Sequence, residues 1–262
     1  MNKKGICLFF GYSLKIGEAQ KLIKKHGFDC IITNQDKCLD YQNGNLRKQM
    51  KLCKKYGLEP SSLHQAYFGK NLKEFWKNSK LGDEIEKSLI KDVKGAHKYG
   101  FKCVVVHLEG EPNQIGLDRL KRVLKYCEKY NIPLALENIG YHELLKYCFD
   151  NIDSEYLKFC FDIGHQNVFD DGFDNLKEFG DKLITLHLHS NNGEKDEHTL
   201  KKYGNIDWED FAKRLAKINP DINLDYEILM QTRHGERAEE VLQETYKEAC
   251  ELEKMIQKYK NL

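Results

Sequence analysis

Histidine and acidic residues stand at or near the ends of apolar segments along most of this chain. The segment IPLALEN carries Glu137, LKFCFDIGH carries Asp162, and LITLHLHS carries His187. If these segments are parallel strands, their ends meet at one edge of the sheet, where imidazole and carboxylate groups together suit a divalent transition metal. Six successive segments finish with such a residue: His64, His107, Glu137, Asp162, His187 and Glu227.

Further candidate ligands accompany this series. His165 closes the sixth segment, and Asp196 and His198 form a D-x-H pair in the loop NNGEKDEHTL, which we expect to fold back over the same face. Side chains alternate along a strand, so His189 faces the same side as His187. We interpret His189 either as a residue that supports a metal ligand or as a substrate contact.

The predicted cofactor is a divalent transition metal. Carboxylates that point together into a buried space repel each other, and burial raises their pKa values unless a cation balances the charge. Mixed imidazole and carboxylate ligands suit zinc, manganese, iron or cobalt better than magnesium or calcium. The ligand types do not choose among the first four metals, and the number of ions, from one to three, stays open.

Eight short apolar segments are the candidate strands that position these residues. Most of them are apolar at successive positions instead of alternating ones, which is typical of parallel strands covered on both faces. The segments span residues 5–11, 28–33, 58–64, 101–110, 132–138, 157–165, 183–190 and 222–229.

Amphipathic segments of helical period separate the candidate strands. Glycines in KKHGFD, KKYGLEP and HKYGFK are expected to end helices in the left-handed conformation just before the next strand. The alternation of strand and helix predicts a parallel sheet, either open or closed. Eight units in 262 residues favour a closed (β/α)₈ barrel, and FFGYSLKIGEA contains no dinucleotide-binding glycine turn. We predict one barrel domain over residues 1–262.

Composition limits the classes of partner. The 42 basic and 41 acidic residues nearly cancel, which gives no global reason to expect a nucleic-acid or membrane partner. The nine cysteines are odd in number and form no C-x-x-C pair, which favours a reducing compartment. No segment approaches the roughly 20 apolar residues of a membrane span, and the start lacks a signal-peptide pattern. We therefore expect a cytoplasmic protein.

Three segments carry a resemblance to a known superfamily. They are LALENIG at 134–140, FCFDIGHQN at 159–167 and LHLHSNNGEKDEHTLKKYGNIDW at 186–208. The last is similar to the H-x-H-D-N-x-G-x-x-D-x-H segment of sugar phosphate isomerases and epimerases. The chain resembles the xylose-isomerase-like barrels from about residue 5 to 235, and this superfamily includes sugar isomerases, ketose epimerases and the endonuclease IV enzymes.

The resemblance implies a metal-dependent isomerase or epimerase that acts on a sugar or a sugar phosphate. One metal would be held by Glu137, Asp162, His187 and Glu227. Glu137 and Glu227 would exchange protons with the carbon next to the sugar carbonyl, as proton donor and acceptor. The resemblance also implies contacts with the substrate from further side chains, for which the candidates are His64, Asn138, His165 and His189.

The same superfamily implies a second function, an endonuclease IV-like zinc phosphodiesterase that cleaves DNA at abasic sites. That family holds three zinc ions, which suit phosphate ester cleavage. The segments ITNQD at 32–36 and HQAYF at 64–68 are similar to its DNA-contacting loops. All its ligand types have counterparts here: His64, His107, Glu137, Asp162, His165, His187, Asp196, His198 and Glu227.

Several departures favour the isomerase over the nuclease. Asp36 stands where the nucleases have a basic residue, the loop after His107 reads LEGEP, and KKYGNID replaces a G-x-G ending. Acidic side chains weaken contact with a phosphate backbone, which depends on Lys and Arg. The sequence leaves two questions open. One is whether Arg233 binds a phosphate group, and the other is whether the barrel binds metal without catalysing a reaction.

Overall fold

The computed structural model describes residues 2–34, 45–66, 70–169, 172–218, 220, 222–230 and 234–261. Eight parallel strands form one sheet within these residues. They are β1 (Lys4–Cys7), β2 (Cys30–Asn34), β3 (Glu59–His64), β4 (Cys103–Val106), β5 (Leu134–Glu137), β6 (Leu157–Asp162), β7 (Leu183–His187) and β8 (Leu224–Tyr226). Each predicted apolar segment overlaps one of these strands.

The sheet closes on itself as a barrel. Its strands pair in chain order from β1 to β7, and β8 pairs with β1. On the remaining side, the N–H of Leu188 donates to the carbonyl of Asp225, and the N–H of Glu227 donates to the carbonyl of Leu188, both at 2.9 Å. These bonds join the ends of β7 and β8. The predicted (β/α)₈ barrel is confirmed.

Helices cover the outside of the barrel, and their apolar faces form the main core against the strands. The glycine stop signals are confirmed: Gly27, Gly57 and Gly100 have φ values of 99°, 70° and 79°. The helices in the described residues are α1 (Ile16–Lys25), α2 (Leu46–Tyr56), α3 (Lys80–Tyr99), α4 (Gln114–Tyr130), α5 (His142–Asn151), α6 (Ile163–Phe169), α7 (Asn175–Phe179), α8 (Trp208–Ile218) and α9 (Ala238–Lys260).

The predicted strand 157–165 is wrong at its carboxyl end. The strand stops at Asp162, and α6 begins at the next residue. The Asp162 carboxylate accepts a hydrogen bond from the backbone N–H of His165 at 2.7 Å, which satisfies an amide in the first turn of α6. His165 therefore extends from a helix and not from a strand.

A polar network fills part of the barrel interior below the strand ends. Asp225 is fully buried and accepts a hydrogen bond from the hydroxyl of Ser61, and Asn223 donates to the same hydroxyl at 2.7 Å. Lys102 donates to the Asn223 side chain at 2.8 Å. A Cβ at Gly5 would lie 1.9 Å from the Asp225 carboxylate, so only glycine fits beside this acid.

Eight cysteines lie in the described residues, and all are free thiols. Seven are buried, and the exception is the half-buried Cys250. They pack as small apolar groups, as the sequence predicts.

Within the described residues, no helix combines the length and hydropathy needed to cross a membrane. Gln35, Asp36, Tyr67, Phe68 and Arg233, which enter the sequence comparisons above, lie outside the described residues.

Glu248 in α9 is a buried acid that makes the stability of the barrel depend on pH. It accepts a hydrogen bond from the N–H of Lys201 at 3.0 Å, and burial raises its pKa to about 8 from 4.5. The folded protein holds a proton that the unfolded chain releases, so stability falls as pH rises from about 4.5 to about 8.

We expect Glu248→Gln to stabilise the protein at pH 9 by about 2 kcal/mol, or several degrees in Tm, and to have little effect near pH 5. Glutamine keeps the acceptor for Lys201 and cannot ionise. Thermal unfolding at both pH values measures this. The exposed Glu155, changed to Gln, is the matched control. An equal shift at both pH values for Glu248→Gln would show that the carboxyl does not titrate as described.

Candidate metal centre

Glu137 lies at the centre of a cluster of imidazoles at the carboxyl ends of the strands. Its side chain is fully buried. One carboxylate oxygen, Oε2, lies 3.0 Å from Nε2 of His107 and 3.3 Å from Nε2 of His64. The other, Oε1, lies 3.0 Å from Nδ1 of His187 and 3.3 Å from Nδ1 of His165. Side chains that are far apart in the sequence therefore meet around one carboxylate.

Three carboxylates surround His187. Its Nδ1 lies 3.0 Å from Glu137 Oε1, 3.1 Å from Glu227 Oε2 and 4.0 Å from Asp162 Oδ2. One ligand atom from each of these residues falls within 4.8 Å of all the others, which is compact enough for one ion. A second group of the same compactness consists of His64, Glu137 and His187. The predicted quartet is therefore brought together.

A third group forms where the loop after β7 returns to the barrel mouth. It consists of His165, His189, Asp196 and His198, again with ligand atoms within 4.8 Å. Asp196 Oδ2 lies 3.0 Å from Nε2 of His198 and 3.3 Å from Nε2 of His165. His189 Nε2 lies 3.0 Å from the Asp162 carboxylate. Eight of the nine predicted ligands thus lie in connected groups, and the ninth, His107, contacts these groups through Glu137.

Backbone pairing holds this loop in place. Ser190 and Thr199 exchange two backbone hydrogen bonds of 2.8 and 2.9 Å, so the loop returns as an antiparallel bridge. The backbone of His198 has a φ of 50°, a value that residues other than glycine seldom adopt. Its Nδ1 lies 2.7 Å from the carbonyl oxygen of Glu227, which orients the ring. The loop therefore directs His198 towards Asp196.

Asn138 holds the end of β6 beside the end of β5. Its side-chain amide donates to the carbonyl of Asp162 at 2.9 Å, and its oxygen accepts from the N–H of Asp162 at 2.8 Å. Asn138 thus fixes the backbone of Asp162, and its role in contacting substrate stays a prediction. A Cβ at Gly164 would lie 1.9 Å from the His189 ring, so this glycine makes room for the imidazole.

Imidazoles keep the carboxyl groups of the centre in their charged form. Burial raises the pKa of Glu137, but His187 and His107 outweigh burial and hold the pKa well below its usual value. Burial also raises the pKa of Glu227, and His187 and His198 again hold it below its usual value. Both glutamates are carboxylates near neutral pH, which is the form that binds a metal or accepts a proton.

The imidazoles respond to the same fields. Burial lowers the pKa of His165, but Asp162 and Asp196 outweigh burial and raise the pKa well above its usual value. The pKa of Asp162 is lowered in turn, because attraction to His165 and other imidazoles outweighs burial. The pKa of His107 is lowered because burial outweighs its attraction to Glu137. Protonated imidazoles thus balance the negative charge of the carboxylates, and a bound divalent cation would neutralise the same charge.

The chemistry of this donor set fits a transition metal. The buried carboxylates of Glu137 and Asp162 and the half-buried carboxylate of Glu227 lie around His187, and the carboxylate of Asp196 lies among three further imidazoles. Asp196 Oδ1 is buried, and no hydrogen-bond donor in the described part of the chain satisfies it. Buried carboxylate oxygens are normally paired or bound to metal, and the imidazole Nε2 of His189 lies 3.7 Å from this atom, so an ion at the third group would satisfy it.

Two nearby residues escaped the sequence analysis. Gln65 accepts a hydrogen bond from the N–H of His107 at 2.9 Å, and its carbonyl oxygen lies 3.0 Å from Nδ1 of His64. Phe169 places its ring 5.5 Å from the ring of His165. Gln65 directly follows His64 within the HQAYF segment, and Phe169 lies one helical turn after His165, but neither residue was predicted to contact the site.

A family model matches most of the chain. The matching family is described as xylose isomerase-like TIM barrel, and the match covers residues 20–249. Curated relatives match over shorter segments. A protein of Sinorhizobium fredii is 30% identical over 144 residues, which cover 50% of this chain and 44% of the relative. A protein of Methanocaldococcus jannaschii is 34% identical over 98 residues, which cover 35% and 38%. Both matches span less than half of the relative.

Solved structures match over nearly the whole chain. A D-tagatose 3-epimerase-like protein superposes with a TM-score of 0.79 at 21% identity, covering 98% of this chain and 99% of its own. The 3-keto-D-glucoside 4-epimerase of E. coli gives 0.71 at 16% identity, covering 97% and 99%. The D-psicose 3-epimerase of Clostridium cellulolyticum gives 0.71 at 12%, covering 98% and 99%. At these identities the likeness establishes a shared fold.

Proposed function

We propose, from the premise that this chain belongs to the xylose isomerase-like TIM barrel family, that it is a metal-dependent isomerase or epimerase of sugars or sugar phosphates. The observation that carries the proposal is the convergence of Glu137, Asp162, His187 and Glu227 within 4.8 Å at the barrel mouth. The similar folds of three proteins named as sugar epimerases or epimerase-like support it.

These four residues would hold the metal, which is zinc or manganese in our proposal. When bound, the ion would polarise the sugar carbonyl and so make the neighbouring C–H bond more acidic. Asn138 keeps Asp162 in position for this task through two hydrogen bonds to its backbone. The Glu227 side chain is 20% exposed, so a substrate can reach it from the mouth of the barrel.

Two glutamates supply the acid and base groups of the reaction. The lowered pKa values of Glu137 and Glu227 make both side chains carboxylates, which can accept a proton. One removes the proton from the carbon next to the carbonyl, and the electron pair of the C–H bond passes to the carbonyl oxygen to give an enediolate. The other glutamate takes a proton from solvent water and donates it to the enediolate, which completes the isomerisation or epimerisation, and the first glutamate then releases its proton to solvent. His64, His165 and His189 lie close enough to the centre to contact substrate hydroxyls.

A zinc phosphodiesterase acting on abasic-site DNA is the second candidate. The observation that favours it is that eight of the nine predicted ligands lie in three groups, joined through Glu137, His187 and the carboxylate of Asp162, while the ninth, His107, contacts Glu137. Three ions at such groups suit phosphate ester cleavage, because one can generate hydroxide while the others neutralise the leaving oxygen. Glu109 and Glu111 in the loop after β4 disfavour a duplex partner, because acidic groups repel its phosphates.

A direct comparison of substrates tests the proposal. Protein loaded with zinc or with manganese is incubated in D₂O with D-fructose, D-tagatose, D-psicose and a panel of sugar phosphates, and separately with an abasic-site duplex. We expect solvent deuterium to appear at the carbon next to the carbonyl of one sugar, together with its isomer or epimer. Cleavage of the duplex without exchange into any sugar would replace the isomerase with the second candidate.

A further inference from the structure

Phe169 is a large apolar side chain left exposed beside the candidate metal centre. It is the last residue of α6 and is 44% exposed, and Ile115 is the other large hydrophobic residue exposed in the described part of the chain. Single exposed apolar residues are common on protein surfaces and need no explanation by themselves. The position of Phe169 next to buried ligands separates it from the usual case.

The helix places the Phe169 ring against the centre. His165 and Phe169 lie four residues apart, so they share one face of α6, and their ring centroids are 5.5 Å apart. His165 reaches Glu137 and Asp196 at 3.3 Å on its other side. The phenyl ring therefore borders the imidazole that connects two of the three ligand groups.

The loop after β5 is shaped to accept Phe169. Gly140 has a φ of 84°, and a Cβ added to it would lie 2.9 Å from the Cβ of Phe169. Glycine is thus required at position 140 both for its backbone conformation and for the close approach of the phenylalanine. The loop after β5 and helix α6 together hold the apolar ring beside the candidate metal centre.

We propose that Phe169 is a substrate-binding residue whose ring packs against the carbon–hydrogen face of the bound sugar. A sugar presents hydroxyl groups at its edge and C–H groups on its face, so a site that holds the hydroxyls by polar groups needs an apolar surface for the face. Burial of the ring by substrate also removes exposed apolar area from water. This inference rests on the proposed function. It adds to the metal centre a side chain that recognises the apolar face of the sugar.

The expected effect is on binding more than on the chemical step. Covering about 50 Å² of apolar surface changes affinity by about tenfold at ~25 cal/mol per Å². We therefore expect Phe169→Ala to raise KM and the Kd of the sugar about tenfold and to change kcat less than about threefold. Phe169→Tyr keeps the ring and is expected to remain within about twofold of the parent protein.

The experiment measures the Kd of D-psicose, D-tagatose and D-fructose by calorimetry on metal-loaded protein, with metal content and Tm recorded for each variant. Ile115→Ala is the matched control. It removes the other exposed large apolar side chain, which lies at the start of α4.

The outcomes separate this inference from the proposed function. A tenfold loss with Phe169→Ala, rescued by tyrosine and absent in Ile115→Ala, at unchanged metal content, supports the inference. Unchanged sugar affinity in Phe169→Ala, with a parent protein that binds and turns over the sugar, overturns the inference alone. A parent protein that binds none of these sugars and turns over no sugar or sugar phosphate of the panel overturns the proposed function, and the role of Phe169 falls with it.

Discussion

Glu137→Gln is expected to lower turnover by about 1000-fold or more while the barrel still folds. The substitution keeps the shape of the side chain but removes its charge and its basicity, and acid–base groups contribute about 10²- to 10⁴-fold to rates. Glu137 lies within 3.3 Å of His64, His107, His165 and His187, so one neutral amide would also weaken the attraction for a cation.

The variant is compared with Glu155→Gln, which makes the same substitution at an exposed position. Glu155 precedes β6, so it lies at the end of this strand opposite to Asp162. Circular dichroism and Tm report whether each variant folds, and kcat with a sugar substrate reports the chemistry. We expect the control to keep the parent rate. A Glu137→Gln protein that folds, retains its metal and keeps the parent kcat would contradict the role of Glu137 as a proton-transfer group.

Metal removal is expected to cause the second large effect, a loss of activity together with a loss of stability. The centre gathers the buried carboxylates of Glu137 and Asp162 and the half-buried carboxylate of Glu227 within 4.8 Å of His187. An ion that binds only the folded chain stabilises it by about 2.7 kcal/mol at 100 times its Kd. For a domain of this size that corresponds to a fall in Tm of about 5–10 °C after chelation.

Dialysis against dipicolinate followed by thermal unfolding measures this effect, and zinc or manganese added back is expected to restore both Tm and kcat. The control is the same chelator saturated with metal before use, which separates chelation from a direct effect of the compound. An unchanged Tm and an unchanged kcat after complete chelation would show that the folded chain does not depend on a bound ion.

The strands and the ligands could be predicted because both follow from local patterns in the sequence. Apolar runs over successive positions mark parallel strands, and His64, Glu137 and Asp162 end such runs. Since a closed barrel brings all strand ends to one face, a prediction of closure is sufficient to predict that they converge. Gly57 and Gly100 were predictable for an equally local reason, the need for a left-handed residue at a helix end.

The details that escaped prediction depend on three-dimensional contacts. The end of β6 at Asp162 is set by a hydrogen bond that its carboxylate accepts from the backbone N–H of His165 in the first turn of α6, which competes with continued strand pairing. The two hydrogen bonds of Asn138 to the backbone of Asp162 depend on the register of β5 against β6. Phe169 looks like an ordinary core residue in sequence, and only the tertiary structure leaves its ring exposed.

Elemental analysis of the purified protein tests most directly whether the candidate ligands at the barrel mouth bind a metal ion. After supplementation with zinc or manganese and removal of unbound ions, we expect at least one metal ion per chain, and a much lower content in Asp162→Asn. About one ion fits the isomerase, and two or three fit the phosphodiesterase. Less than about half an ion per chain in the supplemented parent protein would contradict a metal centre at the mouth of this barrel.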